Sequence, residues 1–452
     1  MLLLKLKDMK EEFLHFVWKY CLYDSDKLVD AEGNVVEVVF PGEYNRDSGP
    51  DFFNTKVMIG ETIWVGNAEV HINSSDWYRH GHHEDQAYNN VVLHIIANAD
   101  KQAVTASGIV VPEVVPSIPE GVYRKYLEYV NNPLLIACQN DLHSVDRYLM
   151  THWLNCLAIE RLQAKTSTIE KTLGETGNDW EESLYRLVAR YFGARVNTDN
   201  FEMLARALPL KLLRKHSDNR LQVEALLYGM AGMLSGELFR EAVDDAYFRE
   251  LMREFRVLRS KYSLVPMHGW LWKFHRLRPA GFPTVRLSQL AGLVCRQRPL
   301  FSEILEATTA GELHVLLDNP ASDYWTNHYT FGKGSAKRTG HAGEAVIDIL
   351  IINVIVPMLF VYGRNRDHRL YCDRAVNLLE DLKPEANRIT AEWKRIGIDA
   401  ANASDSQALN QLLNEYCRKK RCLECRNGQK LISMGMIPAP EHNTLLEQGN
   451  VM

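Results

Sequence analysis

The chain has 452 residues, of which 46% are hydrophobic and 24% charged, values typical of an ordinary globular protein. A single hydrophobic core stops growing below this length, so we expect two or three domains. The formal net charge of −5 excludes a positive field over the whole surface and, with it, tight non-specific binding of DNA by overall charge. Any contact with nucleic acid must therefore come from a local basic patch.

Two segments bear on membranes and export. The longest apolar run, 345–361, contains Asp348, Asn353 and Pro357, so it predicts a buried helix with a break near its end instead of a membrane span. The first ten residues place their charges after a very short apolar stretch, which is the reverse of a signal peptide. The sequence therefore predicts a cytoplasmic protein that does not insert into a membrane.

Residues 1–135 have the pattern of an α+β domain. Apolar residues recur at helical spacing between Glu11 and Tyr20, which predicts a short amphipathic helix. Runs rich in β-branched and aromatic residues follow, and Gly60-Glu61 predicts a tight turn between two of them. The predicted strands cover 35–40, 52–59, 62–65, 68–73, 90–97 and 109–115. Three prolines between 112 and 119 predict a linker after the last strand.

From residue 136 to residue 452 the pattern is helical. Apolar residues recur with a 3.6-residue period, and the polar stretch 198–200 predicts an N-cap. The predicted helices cover 145–165, 181–191, 201–208, 222–234 and 247–262, with more from 287 onward. The predicted fold class is therefore α+β, with an N-terminal mixed sheet and flanking helices over 1–135 and a larger, mostly α-helical domain over 136–452.

Pro50-Asp51 and Glu69-Val70-His71 place polar side chains in segments that otherwise have the pattern of strands. Residues i and i+2 of a strand share a face, so Glu69 and His71 point the same way, and Asp51 on an adjacent strand can meet them. Two carboxylates and water suit Mg²⁺ or Mn²⁺. Such an ion lowers the pKa of a bound water, which a nearby imidazole can orient or deprotonate. Asp51, Glu69 and His71 are therefore the predicted catalytic residues, and the two carboxylates the predicted metal ligands.

This arrangement resembles the PD-(D/E)xK nuclease superfamily, in which a helix precedes a strand meander that carries Asp on one strand and (Asp/Glu)-x-Lys on the next. Pro50-Asp51 and Glu69 match that pattern, whereas His71 stands in place of the Lys. The resemblance implies a Mg²⁺- or Mn²⁺-dependent phosphodiesterase, with DNA or RNA as the partner. The further carboxylate that some members use would come from Glu11, Glu12 or Glu43.

Position 71 leaves the activity open. A Lys is a cation at neutral pH, whereas an unperturbed His is half protonated near about pH 6.5. The His71 imidazole can orient the water, bind the metal itself, or mark an inactive relative. In a purely structural alternative, Asp47 and Asp51 form Asx-turns around Ser48-Gly49 and Glu69 is an exposed strand residue. The alternatives to a nuclease are a non-catalytic binding or scaffold protein on a decayed nuclease fold, and a hydrolase with another substrate.

The sequence also resembles, over nearly its whole length, a bacterial family known as domain of unknown function 2851. The motifs that carry this resemblance are Gly49-Pro-Asp-Phe52, Glu69-Val-His71, Ser74-Ser-Asp-Trp77, His80-Gly-His-His83 and Tyr88-Asn-Asn-Val-Val-Leu-His94. The family implies no activity of its own, so the functional expectation comes from the nuclease resemblance of the N-terminal third.

Three histidines form a second constellation, at His80, His82 and His83. Imidazoles suit transition metals, so these residues are predicted ligands of Zn²⁺ or a second cation. The alternative is that they contact phosphate or cap the site near Glu69. His94 lies in the middle of a predicted strand, where a histidine is more often a satisfied core residue.

Three cysteines cluster near the C-terminus, at Cys417, Cys422 and Cys425. Thiolates at this spacing suit zinc or an iron–sulfur cluster, both of which normally take four ligands. Cys372 is the predicted fourth ligand, and a nearby histidine is the alternative. A purely structural interpretation leaves three free thiols at the end of a basic helix.

A basic, glycine-rich stretch covers 330–341. Its backbone amides and the side chains of Lys333, Lys337 and Arg338 are predicted to contact the phosphates of nucleic acid. The stretch lacks the spacing of a Walker A loop. A solvated loop without a ligand is the alternative.

Overall fold

The structure is a computed structural model that describes residues 9–235, 238–275, 277–337 and 339–436. It divides into two compact units, one of Met1–Trp153 with Leu412–Met452 and one of Leu154–Gln411. The predicted fold class is confirmed, because a mixed sheet with flanking helices is followed by a larger helical region. The sequence-based boundary at residue 135 differs from this division, since the first unit also contains the C-terminal segment.

The first unit alternates helices and strands up to residue 131. The elements are α1 (Glu11–Lys19), β1 (Val36–Phe40), β2 (Glu43–Tyr44), β3 (Phe52–Ile59), β4 (Thr62–Asn73), α2 (Asp76–Arg79), β5 (Val91–Asn98), β6 (Glu113–Val114) and α3 (Glu120–Asn131). The two runs that the sequence analysis separated at Gly66-Asn67 form one continuous strand, β4. Gly66 allows the strand to continue beside the segment that precedes β5, because a Cβ at this position would lie 2.4 Å from the Asn90 carbonyl oxygen.

The sheet is mixed, with the strand order β1-β3-β4-β5-β6, and β2 also pairs with β3. Strands β1, β3 and β4 are antiparallel neighbours, whereas β5 runs parallel to β4 and β6 runs parallel to β5. The β4–β5 register places Glu69 beside His94. The C-terminal half of β4 is therefore a central strand, and its side chains are covered on both faces.

Helix α1 covers the sheet with its apolar side. Phe13, Leu14 and Val17 are fully buried and recur at helical spacing. Burial of each such side chain contributes about 1.5–3 kcal/mol relative to exposure. The helix contacts β4 and β5, which brings the polar residues Glu11 and His15 of the same helix to the sheet.

The second unit is built almost entirely of helices, and it includes one short hairpin. Helix α4 (Arg147–Glu175) leads into it. The other elements are α5 (Trp180–Phe192), α6 (Thr198–Ala207), α7 (Leu210–Arg214), α8 (Arg220–Met230), α9 (Ala246–Tyr262), α10 (Pro283–Val294), α11 (Leu300–Glu306), α12 (Ala310–Leu317), β7 (His328–Thr330), β8 (Lys333–Gly334), α13 (Glu344–Leu350), α14 (Val356–Asn365), α15 (Arg369–Asp381), α16 (Arg388–Arg395) and α17 (Ala403–Gln411). The predicted N-cap at 198–200 lies inside α6, whose N-cap is Asn197.

The apolar run 345–361 forms the buried helix that its pattern predicts. Among the described residues, one helical stretch, Glu344–Asn365, is long and apolar enough to cross a membrane, and 61% of its apolar window is buried inside the protein. The helix is not broken at Pro357 itself. A π-helical turn covers Ile351–Ile355 just before it, and Pro357 stands in the first turn of α14, where a proline is tolerated. Cytoplasmic location stays a prediction.

The C-terminal segment belongs to the first unit. A π-helical turn at Leu412–Cys417 is followed by a tight turn and by α18 (Arg426–Ser433), which packs against α3. Lys420 has a positive φ of 54° in the tight turn, and its side chain donates hydrogen bonds to the carbonyl oxygens of Asn132 and Leu134.

Candidate metal centre

Asp51 and Glu69 meet as the sequence predicts, and the loop before Asp51 is held by another residue. The Asn45 amide donates to the carbonyl oxygens of Asp47, Ser48 and Pro50, so the predicted Asx-turn at Asp51 is not what fixes this loop. The Asp51 amide donates to Glu69 Oε2 at 3.0 Å. The Val70 amide donates to Asp51 Oδ2, also at 3.0 Å.

Glu69 is a buried acid, only 5% exposed, so the alternative of an exposed strand residue is wrong. Its burial and the nearby charge of Asp51 raise its pKa from 4.5 to about 9, although the Asp51 amide acts in the opposite direction. Glu69 Oε1 lies 3.2 Å from His82 Nε2 and 3.7 Å from His71 Nε2. One carboxylate oxygen is thus anchored to the backbone, and the other faces two imidazoles.

His71 is also buried, at 1% exposure, and both of its ring nitrogens have neighbours. Nδ1 lies 2.9 Å from His94 Nε2, and Nε2 lies 3.1 Å from His80 Nδ1. Burial, followed by the charges of the surrounding histidines, lowers the pKa of His71 to about 2. The imidazole is therefore neutral at physiological pH, in contrast to a lysine at that position.

A chain of hydrogen bonds fixes the tautomer of His71. His94 Nδ1 lies 3.3 Å from Glu113 Oε1, which also accepts from the Ala103 amide. A carboxylate accepts hydrogen bonds, so His94 carries its proton on Nδ1 and accepts at Nε2 from His71 Nδ1. His71 Nε2 therefore presents a lone pair toward His80, His82 and Glu69. A second residue that orients a ligand histidine in this way is common at metal sites.

His80 and His82 complete a cluster with His71. One ring nitrogen from each lies within 4.8 Å of the others, and His80 is the member that solvent reaches. The His82 ring stacks on Tyr88, with centroids 3.9 Å apart, and its Nε2 is buried without a hydrogen-bond partner. A buried nitrogen without a hydrogen-bond partner lowers the stability of the folded protein. Here His82 Nε2 lies near the Glu69 carboxylate and the other imidazoles of the cluster.

His83 does not join the cluster, although the sequence analysis counted it among the metal ligands. Its ring lies 4.9 Å from that of Tyr78, and its Nε2 is 3.5 Å from the exposed carboxylate of Glu84. The reason is the turn at Gly81, where φ is +80°, which directs consecutive side chains to different sides.

Glu11 and His15 of helix α1 complete the surroundings of the site. The sequence analysis named Glu11 as a further carboxylate, and burial raises its pKa in a field that includes His15, Asp51 and His80. His15, which the sequence analysis missed, approaches Asp51 Oδ2 with its Nε2 at 3.0 Å. Burial lowers the pKa of His15, but the hydrogen bond to Asp51 and its charge outweigh burial and raise it overall. The four-residue spacing of Glu11 and His15 places both on one face of the helix, but it does not show that this face meets Asp51.

The donor set is richer in nitrogen than the sequence suggested. Oxygen ligands alone suit Mg²⁺, whereas three imidazoles with one carboxylate suit a first-row transition ion such as Zn²⁺ or Mn²⁺. His71, His82 and Glu69 would hold such an ion from the protein side, and His80 from the solvent side. Asp51 anchors Glu69 and adds negative charge.

A cleft of about 650 Å³ lies beside this site, and His15 lines it. Its walls contain many basic side chains: Lys10, Lys19, Arg46, Lys419, Lys420 and Arg421. Two carboxylates, Glu12 and Glu424, also line it. Lys19 lies 5.2 Å from the centre of the Tyr44 ring, and burial together with the charge of Arg46 lowers its pKa. Within the described ranges, Lys19 and Arg46 form no ion pair with a carboxylate.

The other predicted contacts lie elsewhere in the chain. Cys417, Cys422 and Cys425 lie in and before the turn that leads to α18. Cys372 lies in the helical unit, where its thiol approaches the Phe360 carbonyl and its charged neighbours are Asp373 and Arg364, so its part as fourth ligand stays a prediction. Lys333 and Lys337 are exposed residues of the helical unit, and Arg338 lies outside the described residues. Contact of this stretch with nucleic acid stays a prediction.

The fold and the buried centre define a mixed-sheet protein with a preformed carboxylate–histidine cluster. The family described as Protein of unknown function (DUF2851) matches residues 11–388, and the chain belongs to it. The matched region contains Asp51, Glu69 and the histidine cluster, and it ends before Cys417. No curated protein and no solved structure matches the chain.

Proposed function

We propose that this protein is a metal-dependent phosphodiesterase that acts on nucleic acid. The observation that carries the proposal is the meeting of Asp51, Glu69 and a three-histidine cluster in one buried centre that solvent reaches at His80. The order of a helix, then a strand meander with the aspartate before β3 and the glutamate on β4, agrees with the nuclease superfamily that the sequence resembles.

In this proposal the residues divide the work. His71, His80, His82 and Glu69 hold the metal. When bound, the ion supplies an activated water and neutralises the charge that develops on a phosphate. The Glu113–His94 pair keeps the lone pair of His71 directed into the centre. His15 has a raised pKa and lines the cleft, so it is the group placed to give a proton to the leaving oxygen.

The basic cleft supports a polyanionic substrate. Six of its lining residues are Lys or Arg and two are acidic, so it carries local positive charge on a chain whose net charge is −5. Tyr20 and Tyr44 line the same space. Positive charge that follows a phosphate backbone, combined with aromatic rings on which bases stack, is the usual composition of a single-strand binding groove.

A second candidate is a non-catalytic nucleic-acid-binding protein. The observation that favours it is the state of His71, which is neutral and has neighbours at both ring nitrogens, where the nuclease motif has a free lysine cation. In that case the metal would stabilise the sheet and the cleft would bind without cleavage.

Cleavage assays separate the two candidates. The purified full-length chain is incubated with labelled single- and double-stranded DNA and RNA and with Mn²⁺, Zn²⁺ or Mg²⁺ in turn. Glu69→Gln should lower the rate by more than about a hundredfold, because it removes the charged ligand. The fold should survive, since a neutral Glu69 and a Gln have similar shape and both accept the Asp51 hydrogen bond.

The matched control is Glu37→Gln, which changes an exposed glutamate of β1. It should cleave at the wild-type rate. Metal binding in titrations without cleavage of any substrate would reject the enzyme and leave the binding protein. Equal cleavage by wild type and Glu69→Gln would reject the centre as the active site.

A further inference from the structure

Four cysteines come together in the first of the two units, which contains the sheet and is called the sheet unit below. They take no part in the chemical step of the proposed hydrolysis. Cys417 ends the π-helical turn, Cys422 lies in the tight turn after it, and Cys425 immediately precedes α18. The fourth is Cys138, from the loop that follows α3. All four are free thiols, and Cys425 is fully enclosed, at 6% exposure.

Backbone and side-chain contacts join the two loops that carry these cysteines. Lys420, between Cys417 and Cys422, donates to the carbonyl oxygens of Asn132 and Leu134 at 2.7 and 2.8 Å. The Asn132 amide in turn donates to the carbonyl of Ala137, the residue before Cys138. The position of Cys138 is therefore coupled to the turn that carries the other three.

The turn is packed tightly against the start of α18. A Cβ at Gly428 would lie 2.2 Å from the Cys422 carbonyl oxygen, so only glycine allows this approach. The backbone amides of Gly428 and Asn427 lower the pKa of Cys425, although burial has the larger effect and raises it. Amides directed at a sulfur stabilise the thiolate form that metals bind.

Electrostatic contacts also join members of this group. Burial, followed by the charges of Cys425 and Cys422, raises the pKa of Cys138 to about 12. Burial and then Cys425 raise the pKa of Cys422 to about 11. The pKa of Cys417 is raised by burial and then by Cys425, Cys138 and Cys422. A cation among them would reverse this repulsion and deprotonate the thiols.

We propose that these four cysteines bind an iron–sulfur cluster. Four free thiols from two joined loops, one of them buried and three partly buried, form a complete ligand set for such a cluster or for zinc. A tetrahedral zinc site requires sulfurs about 3.8 Å apart, given Zn–S bonds near 2.3 Å. Among the described residues, no three cysteine sulfurs lie within 4.8 Å of one another. A cluster in which each thiolate binds a different iron holds its cysteines farther apart, and it fits this wider spacing.

The cluster would hold one wall of the basic cleft in place. Lys419, Lys420 and Arg421 lie between two of its ligands, and all three line the cleft. The Arg421 guanidinium is paired with Glu424, also between two ligands. The assignment of the cluster is independent of the proposed hydrolysis, since it rests on other residues.

The test is the metal content of the full-length chain, purified without oxygen. We expect about four irons and four sulfides per chain, with a brown colour and the broad visible absorbance of a cluster. Cys138→Ser should reduce bound iron at least about fivefold, because serine is a poor replacement for a thiolate ligand. Cys372→Ser is the matched control and should keep the wild-type iron content.

A second measurement tests the proposal on the wild-type protein, so that it does not depend on the folding of Cys138→Ser. The native wild-type protein is treated with an alkylating reagent before and after removal of iron, and each cysteine is quantified by mass spectrometry. Cys138, Cys417, Cys422 and Cys425 should be labelled only after removal, whereas labelling of Cys21, which is exposed, should not change. Zinc without iron, no metal, or iron that is lost in Cys372→Ser but kept in Cys138→Ser would overturn the proposal.

Discussion

The sheet unit contains two groups of ionisable side chains whose pKa values are shifted by burial, and the two groups differ in the direction of these shifts. In the carboxylate–histidine centre the groups are acids and bases, and burial shifts them in opposite directions: the pKa of Glu69 rises and that of His71 falls. Both become neutral, and each has its own hydrogen-bond partners: Glu69 accepts from the Asp51 amide, and His71 bonds to His94 and His80. In the cysteine cluster all members are acids of one kind, and burial raises the pKa of every one of them, with a further rise from Cys425 at the other three.

This difference predicts how each group depends on metal. The carboxylate–histidine centre is held by the backbone of two central strands and by the Glu113–His94–His71 chain, so it is formed before an ion arrives. The cysteines instead lie in loops, which two hydrogen bonds of Lys420 join. We therefore expect the first to exchange its ion reversibly and the second to need its metal for local order.

Removal of metal gives the largest expected contrast. A chelator should abolish cleavage, by more than about a hundredfold, without change in the circular dichroism spectrum, and Mn²⁺ should restore it. Oxidative loss of the iron–sulfur cluster should instead open the segment that contains Arg418, Lys419, Lys420 and Arg421. Trypsin should then cut there at least about tenfold faster, because cleavage follows the population of the open form.

The control for this contrast is trypsin cleavage after chelation alone, which should match the untreated protein. The comparison between the two sites would fail if chelation opened the same tryptic sites, or if loss of the cluster left them protected.

The sequence analysis found the carboxylate–histidine centre more completely than the cysteine site, for a physical reason. Asp51, Glu69 and His71 lie on neighbouring strands, where the two-residue period and the hairpin turn determine which side chains meet. His80 and His82 are close in sequence to that strand. Their convergence could therefore be predicted, whereas His83 could not be separated from them without knowledge of the backbone at Gly81.

Long-range packing placed the residues that the sequence analysis missed or misassigned. His15 reaches Asp51 because α1 lies on the sheet, and Glu113 reaches His94 because β6 pairs with β5. No local pattern fixes either meeting. Cys138 and Cys372 both precede the cysteine triplet, and distance along the chain favoured Cys372. The hydrogen bonds of Lys420 to the loop after α3 favour Cys138 in our proposal, and the sequence contains no signal of that contact.

A smaller effect concerns the stability of the metal-free protein as pH changes. The folded pKa of Glu69 is about 9 against an ordinary 4.5, so in that range the unfolded chain binds fewer protons and stability falls as pH rises. The folded pKa of His71 is about 2 against 6.5, so it makes stability rise with pH in that lower range. The two effects oppose each other between 4.5 and 6.5, and only that of Glu69 remains above 6.5.

Urea unfolding of the chelated protein between about pH 6.5 and 8 should therefore show a wild-type stability that falls relative to that of Glu69→Gln by up to about 1.4 kcal/mol per pH unit. The cysteines contribute little there, because their ordinary pKa of about 8.5 lies above this range. Glu37→Gln should follow the wild type, because the other groups with shifted pKa values, such as His15 and Lys165, are present in all three proteins. The same slope in Glu69→Gln would show that Glu69 is ionised in the folded, metal-free state.

The smallest expected effect distinguishes two candidate contact sites for nucleic acid, the basic cleft and the glycine-rich loop at 330–341. Arg46 lines the cleft without an ion pair in the described part of the chain, so Arg46→Ala should weaken the binding of a single-stranded oligonucleotide several-fold. It should also reduce the salt slope by about 0.7, as expected for one lost phosphate contact to a single strand. Fluorescence anisotropy at several salt concentrations measures both quantities. Lys333→Ala, in the hairpin of the helical unit, is the control that should change neither.

The turn that carries the cysteines supplies further positive charge to the same cleft through Lys419, Lys420 and Arg421. Loss of the iron–sulfur cluster should therefore also weaken binding of the oligonucleotide, and this effect should add to that of Arg46→Ala. A salt slope that responds to Lys333 but not to Arg46 would return the nucleic-acid contact to the loop and remove the link between the two sites.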